Sequence, residues 1–466
     1  TQYGEYEEPI VFQTNEDLRL ALVGLYDDVS TEDIISFTSV FTDETAIGIS
    51  SGGQNIPEYR FQLFATNSFA SAIWLQNYSV INTANRIIQG AESVIIEDPE
   101  SVDGALAVIE QNRILAEVRA LRAFAHFQLM TFYSTDLKDD AALGVILLDH
   151  VPPVLPNVEE LPRSTNGELF NFINADLDYA TANLPIGNSN IFVTPNFIRG
   201  LRTRIALYRG NYAEALTRAN DMITGTLNQG LTPRATYPNI FKPVSGTQTI
   251  GEVIFGLERP LNKRGIVSEW YFNEANLAGS PFMEVSRSLY DALRMSPGDI
   301  RTSVIVGPES VIAPDYQTVF DYRNEDILLV NKYPGTPPNL PLNNRIPVMR
   351  YSEIHLIKAE AQIGTGDLTG ALATLNFLRN NRITGAGIML PAFENATVAW
   401  KAVLDERRKE LAFEGHRYID LKRLGTLAGV PGVQRYERDC APYSACELLV
   451  TDNRFTLPIP TDELNG

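Results

Sequence analysis

Residues Asp405 to Gly425 read DERRKELAFEGHRYIDLKRLG. Arg407, Glu410, Glu414, Arg417, Asp420 and Arg423 follow one another at steps of three or four residues. On a helix that spacing stacks them along one face with signs that mostly alternate. Leu404, Leu411, Tyr418, Leu421 and Leu424 supply apolar contacts beside them. Gly415, in the middle, either ends one helix in a left-handed cap or lets two helices pack closely. From spacing alone the stretch predicts a solvated, salt-bridged helix.

The surrounding chain of 466 residues exceeds the usual size of one domain. It predicts either one large helical-repeat domain or two or three packed modules. A hydrophobic content of 44% with 20% charged residues is that of an ordinary globular protein. The net charge of -19 argues against nucleic acid, an anionic membrane surface or a highly sulfated substrate. A run of about eighteen apolar residues, enough to span a bilayer as a helix, is absent. No signal peptide is visible and Thr1 is not an initiator Met, so the chain reads as trimmed or mature. Cys440 and Cys446 flank a short loop containing Pro442, which suits a disulfide in an oxidising compartment; two free thiols is the other reading. His126, His150, His355 and His416 are scattered, so no zinc site is expected.

Helical periodicity recurs along the chain. Asn15 to Asp28 has a Leu18, Leu22, Leu25 stripe with Asn15 as candidate N-cap. Ser30 to Asn67 shows no clear period and predicts a long surface loop. Phe69 to Glu92 carries Trp74, Tyr78, Ile81, Asn85 and Ile88 on one face, with Trp74 in the core. Ala105 to Tyr133 is a long helix in which Glu117, Arg119 and Arg122 can pair across facing helices. Thr165 to Leu184 opens with a capping box, Thr165 and Glu168. Gly210-Asn211-Tyr212-Ala213-Glu214-Ala215-Leu216 and Gly366-Asp367-Leu368-Thr369-Gly370-Ala371-Leu372 share one pattern, the turn and second helix of a tetratricopeptide hairpin. Such hairpins must stack, because none buries its own apolar face alone. Between the two, Asn228 to Val348 breaks the rhythm with short β-like runs at Glu252 to Phe255 and Glu325 to Tyr333. Trp400, ahead of the opening stretch, is expected in the core.

ERRKELAFEGHRYIDLKRLG resembles the C-terminal signature of the SusD/RagB family, glycan-binding surface lipoproteins of Bacteroidetes. Further points of resemblance are the Trp74-Tyr78-Ile81-Asn85 pattern, Ala116-Glu117 with Arg119 and Arg122, Asp299 with Arg301, and the closing Pro458-Ile459-Pro460 with Glu463. The resemblance implies a mostly α fold, a tetratricopeptide-like scaffold with an irregular segment carrying short strands. It implies one SusD-like domain over 1–466, with the scaffold at about 69–223 and 346–425. Ligand-facing segments fall at about 30–68 and 228–345. It also implies an outer-membrane lipoprotein on the extracellular face, capturing glycan for a TonB-dependent, SusC-like transporter. The family's lipidated cysteine is not in this chain, so the anchor is inferred from the family alone.

No phosphate-binding loop, H-E-x-x-H or G-x-S-x-G is present, and neither catalysis nor a cofactor or metal is expected. A surface glycoside hydrolase and a peptide-binding tetratricopeptide adaptor are the rival readings. Sugar binding needs exposed aromatic faces beside polar side chains that meet a hydroxyl rim. Two regions offer that mixture: Trp270, Tyr271, Phe272 and Asn273 in the middle segment, and Asp43, Glu44, Tyr59 and Arg60 near the N-terminus.

Overall fold

The computed structural model describes residues 12–153, 159–187, 189–228, 230–242, 251–258, 281–316, 326–334, 344–385 and 389–465. Its architecture is mostly helical. α1 (Asn15–Asp28) starts one residue earlier than the sequence suggests: Thr14 is the N-cap and forms a capping box with Asp17. Leu18, Leu22 and Leu25 make its buried stripe, as expected. α2 (Glu32–Phe41) corrects the reading of 30–67 as a surface loop, since Ile34 through Phe41 are all buried. A helix buried on every side has no polar face to generate a period, so its sequence reads as aperiodic.

α3 (Ser68–Ala91), α4 (Val102–Tyr133) and α5 (Asn166–Asn183) follow, the last with the predicted Thr165–Glu168 capping box. α4 and α5 are joined by Arg119 and Arg122, which both reach the Asp176 carboxylate. Trp74 is buried on α3, and its indole N–H donates to Glu463 at 3.0 Å, fastening the chain's closing motif to the scaffold.

The two repeats fold as hairpins. α6 (Pro195–Tyr208) and α7 (Tyr212–Thr224) form one. After a short helix pair, α8 (Arg287–Arg294) and α9 (Ile300–Ile305), the second is α10 (Tyr351–Gly364) with α11 (Leu368–Asn380). Gly210 and Gly366 hold the turns at φ +75° and +88°, where a side chain would be strained. Ala215 and Ala371 are fully buried at the helix contacts. Arg204 grips Glu353 with two hydrogen bonds of 2.7 and 2.6 Å, locking one hairpin to the other.

Strands among the described residues form antiparallel pairs: β1 (Thr45–Ile47) with β5 (Met283–Val285), and β2 (Leu143–Ile146) with β3 (Arg163–Thr165). β4 (Val253–Leu257) pairs with β6 (Ile346–Arg350), and β7 (Gly432–Gln434) with β8 (Glu447–Leu449). The expected strand over 325–333 reduces to isolated bridges at Ile327 and Val330. Glu325 lies outside the described residues. Among the described residues the main core runs from Phe12 to Leu457 and includes Trp400, with a smaller cluster around Tyr237 and Phe241.

The opening stretch becomes α12 (Ala396–Glu410) and α13 (Arg417–Leu424), separated at Gly415 with φ +84°. The left-handed cap is therefore present, and so is close packing: a Cβ there would lie 2.9 Å from Ile34. The expectation of a solvated helix is overturned. Arg407, Glu410, Arg417 and Asp420 are buried. The Glu410 carboxylate accepts from Arg301, Arg350 and Arg382 at 3.1 to 3.2 Å. Arg350 and Arg382 also bind Glu252, and Arg350 and Lys332 bind Glu414. Arg301 holds Asp299 and Glu406. Burial would raise the Glu410 pKa, but Arg382, Arg350 and Arg301 outweigh it and hold the carboxyl well below its usual range.

Removing one member of a buried ion cluster leaves the others uncompensated. Glu410→Gln is expected to lower unfolding free energy by about 3–5 kcal/mol, read from urea denaturation. Asp405→Asn, which breaks only the exposed Lys401–Asp405 pair, should change it by less than about 1 kcal/mol.

Candidate functional site

The loop-rich corner is built where β1 meets β5, with Thr45 opposite Val285 and Ile47 opposite Met283. The Gly48 N–H donates to the Phe282 carbonyl at 2.8 Å. The chain that follows Asp43 and Glu44 is thus paired with the strand that follows residues 259–280. Trp270, Tyr271, Phe272 and Asn273 lie outside the described residues.

Asp43 and Glu44 are both buried, which corrects their expected place on a ligand surface. Arg417 grips Asp43 with hydrogen bonds of 2.7 and 2.8 Å, and Arg408 adds an ion contact at 3.3 Å. Burial pushes the Asp43 pKa up, yet the two guanidiniums hold it well below the usual range. Glu44 has the opposite outcome. Burial pushes its pKa up to about 7, against the one hydrogen bond from the Phe413 N–H at 3.1 Å. Its other carboxylate oxygen is buried with no hydrogen-bond partner among the described residues. Adjacent carboxyls with pKa values pushed apart suit acid–base chemistry. Here both are sealed in, and the pairing belongs to the scaffold.

Tyr59 is also interior, and again the surface expectation is corrected. Arg435 explains it. Its guanidinium lies 3.8 Å from the centre of the Tyr59 ring and 4.3 Å from that of Phe61. It donates to the carbonyls of Val40, Phe41, Thr42, Tyr59 and Ala445. One side chain thereby satisfies the backbone of a segment that would otherwise need water. Burial lowers the Arg435 pKa to about 10. Arg60 alone of the four N-terminal candidates is exposed.

The expected Cys440–Cys446 disulfide is formed, with Cα atoms 5.0 Å apart. Just before it, Asp439 accepts from the Arg287 backbone N–H at 2.9 Å and from its guanidinium at 3.0 Å. That tether sets Tyr436 beside Tyr316, ring centres 6.4 Å apart, and Tyr316 in turn lies 6.1 Å from Tyr290 on α8. Tyr316 is buried and its hydroxyl donates to Asp291; Tyr290 and Tyr436 are half-buried. Arg294 sits 5.1 Å over the Tyr290 ring, and an Arg438 nitrogen is buried with no hydrogen-bond partner among the described residues. Half-buried aromatic rings with a carboxylate and guanidiniums nearby match an apolar sugar face with a hydroxyl rim. The sequence reading missed these tyrosines, because positions 290, 316 and 436 meet only through the fold. Their one local signal is position: each lies in or beside the irregular segment or the disulfide loop. Among the described residues no group of His, Cys, Asp and Glu is placed to hold a metal. No described helix is long and apolar enough to cross a membrane.

The chain is similar to known proteins in its C-terminal sequence and in its fold. Residues 319–465 match the sequence model of the SusD family. SusD-like protein P2 of Formosa agariphila is 24% identical, over 89% of this chain and 84% of that protein. The fold matches the crystal structure of a SusD superfamily protein from Bacteroides thetaiotaomicron with a TM-score of 0.78. The two are 24% identical over 97% of this chain and 98% of that one. A putative sugar binding protein from Bacteroides vulgatus matches with a TM-score of 0.74 and 25% identity, over 98% of this chain and 97% of that one.

Glu44 gives a pH signature. Its folded pKa is raised, so the folded state binds the extra proton between the unfolded value, 4.5, and about 7. This group's contribution to stability is present at low pH and is lost as pH rises through about 7. Neighbouring carboxyls with lowered pKa act oppositely, so the comparison is with Glu44→Gln. Between pH 5 and pH 8 the variant should gain about 3 kcal/mol relative to the native chain in urea denaturation. Parallel pH profiles would contradict the assignment.

Proposed function

We propose that this chain, SusD-like in its C-terminal sequence and in its fold, is a surface glycan-binding protein. It captures oligosaccharides or polysaccharide for uptake by a TonB-dependent, SusC-like outer-membrane transporter. It acts as one SusD-like domain, held at the extracellular face of the outer membrane by a lipid anchor, and it is not an enzyme. The single observation that carries the reading is the half-buried Tyr290 and Tyr436 pair on the loop-rich corner of this fold. A relative described as a sugar binding protein, matched along nearly its whole length, supports the same class of ligand. We propose Trp270, Tyr271, Phe272, Asn273 and Arg60 as further ligand contacts, on their residue types.

The chemistry sets the affinity scale. One ring against a sugar face removes roughly 50–80 Å² of apolar area from water, on the order of 1–2 kcal/mol. Useful binding therefore needs several sugar units at once. The adaptor reading would have been favoured by intact thiols, and Cys440 and Cys446 are bonded to each other.

Calorimetry with a chain-length series of glucans, xylans and mannans tests the proposal. Affinity for one series should rise with length, with monosaccharides near baseline. Tyr436→Ala and Trp270→Ala should each weaken it about tenfold. Absence of binding across the series, or turnover of a glycan to shorter products by the purified protein, would overturn the reading.

A further inference from the structure

A concavity lies between the C-terminal end of α8, the connection ahead of α12, and α12 itself. Its volume is about 700 Å³, the size of a small-ligand site. Leu390, Phe393 and Ala402 form its apolar floor, packed against the core. Met295, Met389 and Val398 stand at its edges with 84%, 60% and 41% of their surface exposed. These are apolar side chains left in water around a cleft, not scattered singly.

The charge around this cleft runs against the rest of the protein. Arg379, Lys401, Arg408 and Lys409 line it, with Asp405 and Glu406 as its acidic members. Glu406 is already shared, since Arg301, Arg379 and Lys409 all pair with it. Burial would raise the Glu406 pKa, but Arg301, Lys409 and Arg379 hold it well below the usual range. Lys401 pairs with Asp405, and Arg379 and Lys409 share Glu406, so the four lining cations outnumber the two lining carboxylates. Arg408 adds a Nε that is buried with no hydrogen-bond partner among the described residues. In a chain of net charge -19, a cleft with a cationic surplus is selective for an anion.

We propose that this groove binds a small amphiphilic anion, a carboxylate or sulfonate carried on an alkyl or aromatic body, at a site separate from the tyrosine corner. The apolar body lies on Leu390, Phe393 and Ala402. The anionic head meets Lys401 and Lys409 at the rim, with the Arg408 Nε in the lining. The two sites use different residues: Tyr290 and Asp291 of α8 belong to the tyrosine corner, and Ala292, Met295 and Ser296 line the groove.

The test uses the whole chain with anilinonaphthalene sulfonate as fluorescent probe and decanoate as competitor. The dye should bind with enhanced emission, decanoate should displace it, and decanol of the same length should displace it far less. Raised salt should weaken the head contact. Lys401→Glu with Lys409→Glu should weaken dye and decanoate binding about tenfold. Ala402→Trp, which fills the floor, should abolish it. Dye binding that is absent, or that survives both variants unchanged, overturns the proposal. Lys401 is half-exposed, so Lys401→Glu alone keeps the test valid if Ala402→Trp does not fold. Glycan titrations on the same variants should match the native chain, which separates failure here from failure of the glycan reading.

Discussion

The structure turns on one buried carboxylate. Glu410 sits at the end of α12 with three guanidiniums on it, and each comes from a different part of the chain. Arg301 arrives from the irregular middle, Arg350 from β6 and Arg382 from the end of the second hairpin. Without that carboxylate, three cations would share the interior with too little negative charge. Ion clusters of this kind contribute little net stability, because desolvation offsets the attraction. What they impose is geometry. A guanidinium fork accepts a narrow set of carboxylate positions, so the network admits one arrangement of hairpin, strand and loop.

The same logic continues outward to the loop-rich corner. Asp43 is gripped by Arg408 and Arg417 from the two helices on either side of Gly415. Arg435 takes up five carbonyls and ties Val40, Phe41, Thr42 and Tyr59 into the interior. Asp439 fastens the disulfide loop to α8 through Arg287. Each tether is a charged side chain meeting backbone or an opposite charge away from water. Together they give an irregular region fixed positions without long sheets. Tyr290 and Tyr436 can therefore be offered to a ligand already oriented, which reduces the ordering cost of binding.

Much of the fold was legible in the sequence for a simple reason. α1, α3 and α5 each have one wet and one dry face, so period and caps declare them. The Gly-x-x-x-x-Ala hairpin pattern is equally local, since a turn glycine and a contact alanine act within a few residues. Depth is not local. The alternating charges of α12 and α13 have the same spacing whether water or guanidinium faces them. The partners that decide the matter lie 28, 60 and 109 residues away from Glu410. Asp43, Glu44 and Tyr59 read as surface residues for the same reason: the groups that hold them inside are Arg417 and Arg408, the Phe413 N–H, and Arg435, near the far end of the chain. A polar residue is inside only if something remote satisfies it.

Glu44 is the exception that tests this account. It is buried, half-satisfied and beside a second carboxylate, which is the least favourable place for a charge in the corner. Its one hydrogen bond goes to Phe413, a residue at φ +60°, where a bulky side chain is strained. That N–H belongs to the turn that separates α12 from α13 and so keeps Arg408 and Arg417 on the same carboxylate of Asp43. The bond is retained because a strained turn buried against α2 has no water to turn to, and Glu44 is the acceptor within reach. A carboxylic acid can hold that bond with its proton on, as its pKa of about 7 allows, whereas Asp43 must stay ionised to hold two cations. Two neighbouring residues of nearly the same chemistry thus do different structural work, set by whether a guanidinium or a backbone amide faces them.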